Sequence, residues 1–323
     1  MPELVTVKSS GKIRQGWVSA SIFSSIDDMA IAFEIGMTDK PDANGVPRKA
    51  VDLEEYEELY ANAQVQVLAS NDLLLEGYID NYTPSYDASS ASVFWSGRNY
   101  AGDLVDSAPG FKGQQSKQFI KQTILVIAKE LAKPFGLNVS VADGVDIGEP
   151  ITVTIDPGET VGAFLERLAR YRAVIFNSKP NGDLVIIKPG YARAAAQLVY
   201  GKNILSASGN FTIRDLYSSY TVVSQINDTD SLISPLQSAA QHGIAKEPML
   251  GERFRHRVIV SDKAADSKAC QTLAKWEQRT RNGRARTTIY RVNGWRENPA
   301  DLSSDNWVPG KLIYVEDPKL KIS

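Results

Sequence analysis

Two aspartates three residues apart, Asp103 and Asp106, and four glutamates, Glu54, Glu55, Glu57 and Glu58, are the closest this sequence comes to acid–base machinery. A glycosidase flanks the scissile bond with two carboxylates and keeps one of them protonated by its surroundings. Nothing in the spacing of Asp103 and Asp106 favours that role over capping or surface duty, and four glutamates within five residues read as a solvated face. The two histidines, His242 and His256, stand fourteen residues apart, one in a polar stretch and one in a strand. Neither has the i, i+4 partner of a metalloprotease helix, and no Cys/His cluster has metal-ligand spacing. Alternation puts His256 on the face of Phe254 and Val258, as a packed histidine. The single cysteine, Cys270, has no intrachain disulfide partner and lies in a helical pattern with Leu273 and Trp276, as a buried thiol does. The Gly-x-Ser-x-Gly elbow and both glycine-rich phosphate signatures are missing. No catalytic, cofactor-binding or metal-ligating residue is therefore nominated, and the expectation is a protein that is not an enzyme and carries no cofactor.

Charge points the same way. The 323 residues carry a formal net charge of -2, without the basic excess by which proteins neutralise nucleic-acid phosphates. The one basic concentration, Arg279, Arg281, Arg284 and Arg286, falls at the end of a predicted helix, where partial negative charge attracts cations. With 43% apolar and 23% charged residues, the composition is that of a soluble globular protein, long enough for two or three domains. No run of about 18 apolar residues offers a membrane-spanning helix. Met1–Ser10 has no apolar core of a secretory signal, so the chain is expected to stay where it is made.

The elements that must position these residues follow from periodicity. Val5 and Val7, then Trp17–Phe23, Ala30–Ile35, Val65–Leu68, Leu73–Ile79 and Ala91–Trp95 read as strands, with Ser70-Asn71-Asp72 as a hairpin turn. Ile120, Ile124, Ile127 and Leu131 then recur at helical steps behind a Ser116 cap, closed by Pro134-Phe135-Gly136. Asp156-Pro157-Gly158-Glu159 predicts the start of a second helix with Val161, Phe164, Leu165 and Leu168 inward. Strands at Asn138–Val141, Ala173–Asn177 and Leu184–Lys188 complete a compact α+β segment. Strands return at Leu205–Ile213, Ser218–Gln225, Phe254–Val260, Thr287–Trp295 and Leu312–Val315. They are interrupted by a predicted long loop, Asn227–Gly251, and a helix from Asp262 to about Arg281. The fold class is α+β and β-rich: two barrel-like antiparallel β domains, 1–97 and 198–323, flank a small α+β domain, 98–197. The outer domains are alike in style, without a residue-level repeat.

Three stretches resemble the Mu-type baseplate hub family of contractile phage tails, related to the late control D proteins. They are Gly16-Trp17-Val18-Ser19 through Phe33-Glu34-Ile35, then Glu76-Gly77-Tyr78-Ile79-Asp80 with Trp95-Ser96-Gly97-Arg98 through Asp103-Leu104-Val105-Asp106-Ser107-Ala108, and Asp156–Val161 with Leu165–Ala169 and Gly182–Val185. The resemblance implies a homotrimer whose two barrel-like domains per chain form a pseudo-sixfold ring. That ring would join a hexameric tail tube protein to a trimeric central spike protein among other baseplate proteins. The genome would pass through without specific binding, and the chain would bind no membrane by itself. It also implies a place in the virion tail baseplate, after assembly in the bacterial host cytoplasm. Members continue with closing strands past a position like Val315, whereas this sequence reaches Ser323; a short branch of the family, a cut chain and closing strands supplied by a separate chain are the three readings, and they leave the completeness of the second β-rich domain open. Two other readings are a tail-associated glycan- or peptidoglycan-cleaving enzyme and a secretion-system spike component. The run Gly97–Ala108 is expected to be a hinge that uses the backbone freedom of Gly97 and Gly102. Leu104 and Val105 are expected to dock into the middle domain.

Overall fold

Valine, isoleucine and aromatic residues at every second position build the first sheet, since alternate side chains of a strand share a face. A computed structural model describes residues 4–39, 59–86, 91–110, 117–224, 241–261, 267–298, 301 and 304–322. By contacts the chain forms two units, Met1–Ala196 with Gly294–Ile313, and Gln197–Asn293 with Tyr314–Ser323.

The first unit opens with β1 (Val5–Ser9), β2 (Lys12–Arg14), β3 (Ser19–Phe23), β4 (Ala32–Asp39), β5 (Gln64–Ala69), β6 (Asp72–Tyr86) and β7 (Ala91–Asn99). These form one antiparallel sheet, ordered β2-β1-β5-β6-β7-β4-β3, whose end strands do not pair to close a barrel. Phe33 and Ile35, Val65 and Val67, and Val93 and Trp95 all turn into one core. The Trp95 indole donates to Leu59 O at 2.7 Å and meets the Trp17 ring edge-on, centroids 5.7 Å apart. The predicted hairpin turn is there, but Asp72 already pairs with Ala69, leaving Ser70 and Asn71 as the connection.

The middle segment runs α1 (Ala101–Asp106), β8 (Lys117–Gln122), α2 (Ile124–Ala132), β9 (Val139–Val141), β10 (Ile151–Ile155), α3 (Val161–Arg172), β11 (Ile175–Ser178) and β12 (Leu184–Ile187). β10 pairs with β8, while β11, β12 and β9 make a second small sheet with β12 and β9 parallel. The helix expected behind Ser116 begins later. Ser116 lies outside the described residues, Lys117–Gln122 is a strand, and Ile120 is 62% exposed. Pairing with β10 wins there, and Thr123 Oγ1 caps α2 by accepting from Val126 N. Ile124, Ile127 and Leu131 keep their inward stripe, and Gly136 ends the helix in the left-handed region at φ +70°. The start of α3 shifts likewise. Asp156–Glu159 is a turn whose Glu159 carboxylate accepts from Asp156 N, and the cap is Thr160, accepting from Ala163 N at 3.1 Å.

Asn99 fastens sheet to middle segment. Its amide donates to Ser178 Oγ at 2.8 Å and to Lys179 O at 3.0 Å, and its oxygen accepts from Ile31 N at 3.2 Å. The residue is buried, so truncation strands several partners away from water. Asn99→Ala is expected to cost about 2 kcal/mol in urea unfolding; an unchanged midpoint would show the contacts to be incidental. The returning segment Gly294–Ile313 adds a buried carboxylate. Glu297 accepts from Ala195 N at 2.6 Å and from Lys311 Nζ at 2.7 Å, and Arg296 pairs with Asp72. Lys311 loses hydration by burial, yet Glu297 holds its ammonium above the usual lysine value.

β13 (Arg193–Val199) precedes the strands of the second unit: β14 (Ser206–Phe211), β15 (Ser219–Ser224), β16 (Gln241–Lys246) and β17 (His256–Val260). Then come α4 (Ser267–Ala285), β18 (Arg286–Arg291) and β19 (Leu312–Glu316), which pairs with β13. The sheet β16-β15-β17 carries α4 on one face, around Val222, Ala245, Cys270 and Ala274. The long loop expected at Asn227–Gly251 is corrected within its described part, where Gln241–Lys246 is a strand paired along β15. Its inward positions are Gly243 and Ala245, too small to register as apolar periodicity. β14 and β18 form a separate antiparallel ribbon that leaves Ile289 68% exposed. The helix start at Asp262 lies outside the described residues.

Candidate assembly junction

The sequence run from Gly97 to Ala108 is not a hinge. Gly97 sits inside β7, Gly102 lies in α1, and neither has a positive φ. Both glycines are needed for space instead. A Cβ on Gly97 would stand 2.0 Å from Tyr78 O, one on Gly77 would stand 2.0 Å from Arg98 O, and one on Gly102 would stand 3.0 Å from Arg98 Cβ. β6 and β7 thus approach closely just where β6 slips register between Ile79 and Asn81.

That slip aims Asp80 at Arg98. The guanidinium donates from Nε to Asp80 at 3.0 Å and as a fork to Asp106, 3.2 Å from Nη1 and 2.6 Å from Nη2. Arg98 therefore ties the sheet to α1, while Leu104 and Val105 turn toward the middle core as expected. Gly162 of α3 crosses α1 so closely that a Cβ would meet Val105 O at 2.8 Å.

The fork decides the chemistry of the aspartate pair. Hydrogen bonding from Arg98 outweighs burial and holds the Asp106 carboxyl below the usual carboxylate range. A general acid needs the opposite shift. The contact is half exposed, so Asp106→Asn is expected to cost under about 1 kcal/mol at pH 7. Because the folded value is depressed, the contribution is present above the unfolded value of about 3.9 and is lost as pH falls through the folded one. Melting curves of wild type and Asp106→Asn should converge as the pH falls through the folded value; a gap that widens on acidification would contradict the ion pair.

The other singled-out residues scatter. His242 is exposed on the edge strand β16 rather than in a loop. His256 is exposed too, beside Val258 and a Phe254 that is 87% exposed, so the alternation holds but the packed reading does not. The helix α4 covers the opposite face of that sheet, and His256 Nδ1 lies 2.7 Å from Ser219 Oγ across the parallel ladder. Cys270 is buried on the face of α4 that meets the sheet, as its helical spacing indicated. Glu54, Glu55, Glu57 and Glu58 lie outside the described residues. Among the described residues no group of three His, Cys, Asp or Glu is placed to hold a metal, and no helix is long and apolar enough to cross a membrane.

Two features escaped the sequence reading. Glu247 is a buried carboxylate at the foot of α4. Burial opposes its ionisation, but donors from Asn282, Gln278 and Met249 N prevail and hold it below the usual range. The second is a cation cluster. Arg255 and Arg257 lie 5.2 Å, and Arg281 5.6 Å, from the centroid of the Tyr217 ring. The dense arginines at 253–257 and 279–286 were the available signal, but each run looked local.

This construction has relatives. Residues 4–99 match the family described as Mu phage baseplate assembly protein GpP-like, N-terminal, and residues 101–188 match Baseplate hub protein gp44-like, second domain. All of the chain aligns with 81% of the Baseplate hub protein gp44 of Escherichia phage Mu, at 28% identity. The chain belongs to the Mu-type baseplate hub family. Among solved structures, the 43 kDa tail protein of prophage MuSo2 from Shewanella oneidensis superposes with a TM-score of 0.84 at 29% identity, covering 99% of this chain and 90% of that one. A tail protein from Neisseria meningitidis MC58 shares the fold, with a TM-score of 0.75 at 22% identity over 100% of this chain and 89% of the other. The joint at Arg98 falls just where the two matched regions adjoin. The expected β-rich α+β architecture holds, built as open sheets. The chain is a phage tail component.

Proposed function

We propose that this baseplate hub protein works as a homotrimer, its β-rich parts 1–97 and 198–323 alternating around a pseudo-sixfold ring with 98–197 between them. The ring joins the hexameric tail tube to the trimeric central spike, assembles in the host cytoplasm, and passes the genome without gripping it. Its role is structural, with no catalytic, cofactor or metal residue. The observation that carries this reading is the alignment of the whole chain with a phage Mu protein named as a baseplate hub. The Arg98 fork supports it, because the most distinctive motif of the sequence is spent on joining a sheet to a helix. A closed cyclic ring needs a heterologous interface on every protomer.

The test is co-expression of the full chain with a cognate tube protein and spike protein. Co-purification of a three-component particle with three hub copies is the expected result. A hub that captures neither partner but releases sugars from peptidoglycan, at a rate abolished by substituting one carboxylate, would replace this reading with a tail-associated glycan-cleaving enzyme.

A further inference from the structure

The net charge of -2 conceals a division of charge between the two units. Gln197–Asn293 with Tyr314–Ser323 holds sixteen lysines and arginines against ten aspartates and glutamates, a formal charge of +6. Met1–Ala196 with Gly294–Ile313 holds twenty against twenty-eight, a formal charge of -8. Chain-wide neutrality is thus the sum of one acidic and one basic body.

The basic unit also gathers its charge in one place. Arg255, Arg257 and Arg281 converge on the Tyr217 ring from two elements distant in sequence. Arg255 is fixed by donating to Ile213 O at 2.8 Å and Arg214 O at 2.7 Å, Arg281 by Glu277 at 2.6 Å, and Arg257 by the Tyr217 hydroxyl at 3.3 Å. Only one of these partners, Glu277, carries a compensating charge. Arg214 and Arg253 extend the cluster in sequence, with exposed side chains. Holding three guanidinium groups together costs electrostatic energy that an anionic partner relieves. The Tyr217 ring is already occupied by cations and is not free to stack on a base, which disfavours a nucleic-acid strand.

We propose that the Tyr217 arginine cluster of one copy docks against the acidic unit of a second copy of this chain, an electrostatic head-to-tail contact. The proposal rests on the ring reading above and names the surface that makes one of its contacts. A heterologous contact requires two different complementary patches on one chain, and a chain that carries -8 on one unit and +6 on the other supplies them. The contact fixes register and orientation through charge and is correspondingly sensitive to salt.

The experiment is sedimentation equilibrium of the full chain from about 50 mM to about 1 M NaCl, for wild type and for the double substitution Arg214→Glu with Arg253→Glu. Both side chains are exposed, and a thermal melt checks that the double variant still folds. The expected result is a wild-type trimer whose association weakens with salt, and a folded variant whose association at low salt is about tenfold weaker or more. A trimer indifferent to both salt and charge reversal would overturn this proposal while leaving the ring intact. A chain monomeric under every condition would overturn the ring reading and this contact with it. Should a fluorescent DNA duplex bind wild type but not the variant while association of copies is unchanged, the cluster is a nucleic-acid site and the proposal fails.

Discussion

Leu104→Asp is expected to unfold the middle of the first unit, at a cost of about 4 kcal/mol or more. The side chain has no exposed surface and packs within the cluster of Phe119, Ile124, Phe164, Leu165 and Leu184. Removing a buried leucine costs about 2–5 kcal/mol through lost transfer energy and the cavity left behind. An aspartate adds an unpaired charge to the same space, and that term is what separates it from a conservative change. Leu104→Met, which keeps volume and polarity, should cost under about 1.5 kcal/mol. Urea unfolding of the three proteins checks the order. If Leu104→Asp unfolds at the parental midpoint, α1 is a surface helix and the junction described here does not hold.

The second large effect belongs to Gly243→Ala, a change usually regarded as mild. α4 lies directly on β16 at this point, so the added methyl would stand 2.2 Å from Gln271 N and 2.3 Å from the Cys270 carbonyl carbon. Backbone cannot yield as a flexible side chain does, and the helix must lift off the sheet. Overpacking typically costs about 1–3 kcal/mol, and a backbone clash sits at the upper end or beyond. Lifting α4 also uncovers Cys270. The expected result is faster labelling of the Cys270 thiol together with a lowered melting temperature. Labelling as slow as in the parent would mean that α4 and β16 are not in contact in solution.

The sequence was informative wherever large apolar residues repeat. Val65, Val67, Val93 and Trp95 gave strands, and Ile124, Ile127 and Leu131 gave the inward face of α2. It misled where spacing coincided with the wrong element. Ile120 continues the helical rhythm of α2 but belongs to β8, which has a partner strand to pair with. It was silent at β16, whose buried positions are a glycine and an alanine. For His256, alternation identified the face, but only the placement of α4 decides which face is dry. Gly97 drew attention as a hinge because glycine has two distinct uses, and nothing local separates a left-handed turn from a close approach of two strands. The junction was half legible. Asp80, Arg98 and Asp106 all lie in stretches that stood out, yet their meeting depends on a register slip between Ile79 and Asn81 that no spacing rule reports. The Tyr217 cluster was invisible because its arginines come from separate elements.

The order in which the chain visits its two units has a consequence for synthesis. The sheet of β1–β7 and the middle segment are complete once Ala196 has emerged, but residues 294–313 of the same unit arrive only after ninety-seven more residues, Gln197–Asn293. At ribosomal rates of about 5–20 residues per second, the interval is on the order of 5–20 s. Throughout it the Ala195 amide lacks the Glu297 carboxylate that accepts from it, and Asp72 waits for Arg296. The first unit is finished by a late-made strap rather than in sequence order. A nascent chain stalled within Gln197–Asn293 therefore presents a first unit still without its latch.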